Sequence, residues 1–175
     1  MTLLLVVVGG CRSAQAGTVA EGQAQPFFCE RSHTNHAWGY RHRGIYVDGA
    51  GGVFRYVHGT ADHRLLRVPA DSLTEQALLA RYAPGRRPMG TVPARQMAER
   101  YRQVVAASVG ELSERVRRGA DMGTTVRRCY LPDASTGVYR EVLLRQGGDW
   151  SRENRAPAAA QLSAWLDSLA LRAIR

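Results

Sequence analysis

Three groups of residues in this chain carry side chains suited to chemistry. The first is a histidine cluster, His33, His36 and His42, with Cys29 and Glu30 beside it and His58 and His63 farther along. Imidazole, thiolate and carboxylate are ligands for zinc or copper. The spacing His33-x-x-His36 falls in a stretch without helix or tight-turn signals, however, and fixes no ligand geometry. The plainer reading is a polar segment whose histidines make ordinary hydrogen bonds. The second group is Asp121 and Asp149, in Asp121-Met122-Gly123 and Gly148-Asp149-Trp150. Both stand at the boundaries of β-rich runs, so the two carboxylates could converge across a hairpin and hold Ca²⁺ or work as acid and base. Asp is also common at turns, where it accepts from nearby backbone amides. The third group crowds Trp38, Tyr40, Tyr46, Phe54 and Tyr56 among Arg41, Arg43 and Arg55. Aromatic and Arg side chains dominate interface hot spots. An exposed Tyr/Arg face would bind sugar, peptide or an acidic partner, and the candidate binding residues are Trp38, Tyr40, Arg41, Arg43, Tyr46, Arg55 and Tyr56. The competing reading places these rings in the core as cross-strand pairs.

Catalytic signatures are scarce. The sequence holds no Gly-x-Ser-x-Gly elbow and no phosphate-binding loop, EF-hand loop or zincin helix. A cysteine nucleophile would need Cys29 or Cys129 free near an imidazole, and Cys29 with His33 or His36 is the only local arrangement. No cofactor is indicated.

The elements that would position these groups are legible in part. Arg43 to Asp48 alternates, Gly49-Ala50-Gly51-Gly52 turns, and Val53 to His58 alternates again, which predicts a β-hairpin. The alternation sets Tyr46 on one face, with Ile45 and Val47 on the other. Ser72 to Tyr82 predicts a short helix with Ser72 as cap and Glu75 three residues on. Arg86 to Pro93 reads as a loop. Ala94 to Arg118 predicts a long helix on the stripe Met97, Tyr101, Val104, Val105, Leu112 and Val116, ended by Gly119. Thr124 to Leu131 and Val138 to Arg145 predict a second hairpin around Pro132 to Gly137. Pro157 to about Ile174 predicts a last helix on Leu162, Trp165, Leu166 and Leu169. The expected class is α+β: an antiparallel sheet of about four strands, from two β-hairpins, with about three helices packed on one face.

A length of 175 residues suits one domain with a real core. Apolar residues at 45% and charged residues at 22% exclude a disordered chain. The formal charge is +9, and all 24 basic residues are Arg. A basic surface favours acidic partners such as anionic headgroups or polysaccharide. The arginines are spread along the chain rather than gathered in a tail, so no nucleic-acid partner is expected.

The N-terminus suggests an address. Leu3 to Val8 is an unbroken apolar run, and Gly9, Gly10 and Cys11 follow. Small side chains after an apolar run are what signal peptidases accept. Val8-Gly9-Gly10-Cys11 resembles the lipobox of bacterial lipoproteins. The resemblance implies cleavage before Cys11, lipidation of Cys11, and attachment to a membrane of the cell envelope. The alternatives are a plain secretory signal and a buried first strand. Arg12 to Gln25 is rich in Ala, Gly, Gln and Ser and reads as a flexible tether. The expected organisation is a signal peptide at 1–10, a tether at 11–25 and one α+β domain at 26–175. With Cys11 taken up by lipid, Cys29 and Cys129 are left to pair, as export permits; two free buried thiols are the alternative. The segment Val142-Leu143-Leu144, Gly148-Asp149-Trp150, Asn154, Pro157-Ala158, Leu162 and Trp165-Leu166 is similar to the C-terminal part of uncharacterised bacterial lipoproteins. That resemblance implies a shared strand-turn-helix unit and no activity.

These readings converge on a non-enzymatic envelope lipoprotein that binds an acidic, glycan or protein partner through its first hairpin. The alternative is a small hydrolase or metal-dependent enzyme using the histidines with Asp121 or Asp149.

Overall fold

A computed structural model of the chain describes residues 25–37, 39–62 and 73–172. The expected signal, Cys11 and the tether up to residue 24 lie outside the described residues, as do Trp38, His63 and Ser72. The strands are β1 (Phe28–Asn35), β2 (Arg41–Val47), β3 (Gly52–His58), β4 (Arg87–Thr91), β5 (Val116–Arg117), β6 (Thr124–Pro132), β7 (Tyr139–Gly148) and β8 (Trp150–Glu153). The helices are α1 (Glu75–Tyr82), α2 (Ala94–Ala107) and α3 (Pro157–Arg172). All strands join one antiparallel sheet in the order β4-β3-β2-β1-β6-β7-β8-β5.

The α+β class and the three helices are as expected, but the sheet has eight strands rather than about four. Both expected hairpins are present, as β2–β3 and β6–β7. Central strand β1 escapes a hydropathy reading because it carries polar residues on both faces. Phe28, Glu30 and Ser32 are buried on one side, and Arg31 and His33 stand on the other with Cys29. Strand β4, expected as loop, contains Pro88 and Gly90. It lies at the sheet edge, where a missing N–H costs no ladder bond.

The long helix expected from Ala94 to Arg118 stops at Ala107. A Cβ on Gly110 would come 2.1 Å from Asn154 Oδ1, so the chain turns there and packs its backbone on Asn154. Leu112 then bridges to Asn154, and Val116 starts β5. Gly119 therefore does not end this helix. Helix α1 is capped by Thr74, whose Oγ1 accepts from the Ala77 amide at 3.2 Å. Buried Asn154 binds the strand-turn-helix ending together: its Nδ2 donates to the Ala107 and Leu143 carbonyls at 2.9 and 3.2 Å, and its Oδ1 accepts from the Ala156 amide at 3.0 Å.

The helices cover both faces of the sheet, not one. Helices α2 and α3 seal an aliphatic core of Cys29, Ile45, Val47, Val104, Leu144, Leu162 and Leu166. Helix α1 closes a smaller aromatic core on the other face, where Leu78 and Tyr82 meet Phe28, Tyr46, Tyr56, Tyr130 and Tyr139. Cys29 and Cys129 lie opposite each other in the β1–β6 ladder and form a disulfide. Among the described residues no helix is long and apolar enough to cross a membrane.

Candidate functional site

The alternation in β1, β2 and β3 sorts the chemistry-bearing residues onto the two faces. On the aromatic face the even-numbered residues gather around one buried carboxylate. Glu30, 1% exposed, takes an ion pair from Arg128 Nε and a hydrogen bond from Tyr82 Oη. Tyr56 Oη lies 3.3 Å from Glu30 Oε2 and 2.9 Å from His42 Nε2, and Thr34 Oγ1 lies 2.7 Å from His42 Nδ1. One direction of donation uses every hydrogen: Thr34 to His42, His42 to Tyr56, Tyr56 to Glu30. Arg81 donates to Tyr130 Oη at 2.8 Å, and Arg128 also reaches Glu141 at 2.7 Å.

Burial alone would raise the Glu30 carboxyl, but Arg128, His42, Tyr82 and Arg81 outweigh it and hold it down at about 2. Burial pushes His42 down to about 4 despite the pull of Glu30, so at neutral pH the imidazole is uncharged. Every member of this network has a partner inside the protein, and the carboxylate is sealed from solvent. Among the described residues it is an enclosed charge cluster, with Glu30 only 1% exposed.

The other face is different. Beyond the end of α3 the sheet is open, and its odd-numbered residues line a groove of about 990 Å³. Strand register builds it in rows. Arg31 pairs with Ile45, Ile45 with Arg55, and Arg55 with Arg87 across β1–β4. The next row is Thr125, His33, Arg43 and Val57. Ala170 of α3 and Gly85 before β4 form its sides. Gly44 is required here, because a Cβ would come 2.1 Å from the Arg31 carbonyl and force β1 from β2. A second recess of about 400 Å³ shares His33 and Arg43 and continues to Asn35, Tyr40 and Arg41.

The partners of these arginines are uneven. Arg31 and Arg127 both hold Asp167 of α3, with contacts of 2.7 and 2.8 Å. Among the described residues Arg41, Arg43, Arg55 and Arg87 take no carboxylate. His33 is hydrogen-bonded to Thr125 Oγ1 at 3.0 Å. Burial first, then the Arg43 and Arg31 charges, push its imidazole below the usual histidine range. The groove is thus a field of guanidinium groups over an apolar floor, a region of positive potential.

Of the binding residues expected from sequence, Arg43, Arg55 and Tyr56 border the main groove, and Tyr40 and Arg41 line the adjoining recess. The Tyr46 and Tyr56 side chains are fully buried in the aromatic core, where Tyr46 stacks on Phe54 and Tyr82 with ring centres 5.0 and 4.3 Å apart. Arg31, Arg87 and His33 complete the groove. Sequence reasoning passed over the two arginines because they sit on the strands it did not see.

The other candidates separate. His33 and His42 face opposite sides of the sheet. The disulfide removes Cys29 as nucleophile or ligand. Asp121 and Asp149 do converge, with His36, in a recess of about 250 Å³. Asp149 Oδ1 there accepts from the Met122 amide at 2.8 Å, which ties the two segments together across the hairpin. Among the described residues no group of three or more His, Cys, Asp or Glu side chains is arranged to hold a metal ion. Comparison with models of protein families, with curated proteins and with solved structures returns no match for this chain.

Proposed function

We propose that this protein is an exported, lipid-anchored binding domain of the cell envelope, and that its non-enzymatic work is to hold an acidic partner in the arginine groove. The observation that carries the reading is the row Arg31, Arg55 and Arg87 beside Arg43 in one concavity, with three of the four lacking a carboxylate partner among the described residues. Like charges gathered this way repel one another, and an anionic ligand relieves the repulsion. The disulfide supports export, because such bonds persist in oxidising compartments. The lipobox-like Val8-Gly9-Gly10-Cys11 supports the anchor.

Two experiments test the proposal. Intact mass of the membrane-extracted protein is expected to give a chain starting at Cys11 plus acyl groups, and an unprocessed chain overturns the anchor. Titration with polyglutamate at low salt is expected to show binding that weakens as salt rises. The triple variant Arg43→Ser, Arg55→Ser, Arg87→Ser is expected to lose at least ten-fold in affinity. Unchanged binding by the variant overturns the groove as the site.

A further inference from the structure

The groove also specifies how the anions of its ligand are spaced. This inference rests on the acidic-partner reading. On the open face the cations occur at alternate positions of the central strands. The first level holds Arg31 and Arg55, the second His33 and Arg43, and the third Arg41 opposite Asn35. A strand rises about 3.3 Å per residue, so successive levels are about 6.6 Å apart along the strand axis. The two recesses share His33 and Arg43, so the three levels line one path. An extended peptide lying along that path repeats its same-side side chains at the same interval of about 6.6 Å. The floor within the levels is apolar, with Ile45 between Arg31 and Arg55 in the first and half-exposed Val57 beside Arg43 in the second, and suits the peptide's uncharged atoms.

The protein already contains one instance of this recognition. The Asp167 side chain, carried by α3, reaches the margin of the groove and binds Arg31 and Arg127. The anion that Arg31 accepts within the fold is thus a protein carboxylate. Asp167 also withholds Arg31 from any incoming ligand.

We propose that the groove binds an extended acidic peptide segment with carboxylates at alternate residues, so that positions i, i+2 and i+4 meet the three levels of arginine. Asp167 acts as an internal competitor for the first level.

The test uses the full domain and peptides of one composition. One places three glutamates at alternate positions of a nine-residue peptide of serine; the other places the same three glutamates consecutively, so that at most two of them face the groove in an extended chain. Calorimetric titration at low salt is expected to give about ten-fold tighter binding to the alternating peptide. Arg43→Ser, at the middle level, is expected to abolish that preference, while Arg102→Ser on the exposed side of α2 leaves it intact. Asp167→Asn is expected to tighten binding about three-fold by releasing Arg31. The His33 ring signals are expected to report a raised pKa in the complex, which binding elsewhere would not produce. Equal affinity for the two peptides overturns the spacing. Tighter binding of oligogalacturonate or of phosphatidylglycerol vesicles overturns the peptide and retains an acidic partner. No binding to any of these anions overturns both the inference and the reading beneath it.

Discussion

The two faces of the sheet carry the same side-chain types to opposite ends. On the aromatic face, Arg81, Arg128, His42 and three tyrosines enclose Glu30; Arg128 is paired with Glu30 and Glu141, and Arg81 donates to Tyr130 Oη. On the open face, Arg41, Arg43, Arg55 and Arg87 crowd together with no carboxylate among the described residues. Buried charges left alone would destroy the fold, so the enclosed cluster has to be complete. Exposed charges are tolerated incomplete, and that incompleteness leaves room for a ligand. Perturbed pKa values occur on both faces, at Glu30 and His42 on one and at His33 on the other, so the groove is set apart by its unmatched charge.

That contrast is most sharply tested at Glu30. Glu30→Gln leaves Arg128 with only its partly exposed partner Glu141 and removes the anion beside Arg81. Breaking a buried pair from one side costs about 3–5 kcal/mol, so a comparable loss of unfolding free energy in denaturant is expected. A loss below about 1 kcal/mol would show that the cluster does not hold the aromatic face together.

Acid gives the next largest effect. His42 has a folded pKa of about 4, below its unfolded value, so the unfolded chain binds the proton first and stability falls as pH drops from about 6.5 towards 4. Glu30 likewise has a depressed folded pKa, and its contribution is lost as pH falls from about 4.5 towards 2. The expected result is a continuous decline in denaturant stability below about pH 6.5, flattened in its upper part by His42→Gln. Constant stability between pH 7 and 5 would contradict the buried neutral imidazole.

The smallest effect belongs to the groove. Arg43→Ser with Arg55→Ser is expected to move the unfolding free energy by no more than about 0.5 kcal/mol, since these exposed side chains answer no partner. Should that variant lose several kcal/mol, the arginines would be structural and the contrast between the faces would fail.

The same contrast explains what the sequence let a reader see. Ile45, Tyr46 and Val47 alternate cleanly, so the first hairpin and the opposite facing of Tyr46 were readable. Arg43 and Arg55 were expected to share one exposed face with Tyr46 and Tyr56, but the same alternation turns the arginines to the opposite side of the sheet from those tyrosines. Strand β1 was not readable, because its buried face carries Glu30 and Ser32 where hydrophobic residues are expected, and those become tolerable only when Arg128 and Tyr82 arrive from far along the chain. With β1 and β4 unseen, Arg31 and Arg87 could not join the site. The tyrosines were ambiguous for a related reason: Tyr46 and Tyr56 bury their rings and still find polar ends to their hydroxyls, at Arg86 and at His42. The end of α2 depended on Asn154, which no local pattern announces.

The disulfide has a mechanical meaning. Strands β1 and β6 meet in the middle of the sheet, where the first half of the chain, β1 to β4, is joined to the second half, β5 to β8. Cys29 and Cys129 are the second rung of that seam, four residues after Gln25, the first residue described. A pull on the chain at Gln25 would peel β1 from β6 one rung at a time, which is the weak direction for a row of hydrogen bonds. The covalent rung stops the tear after Phe28 and passes the load to both halves at once. A load entering at Gln25 is therefore shared by the two halves of the sheet for as long as that bond stays oxidised.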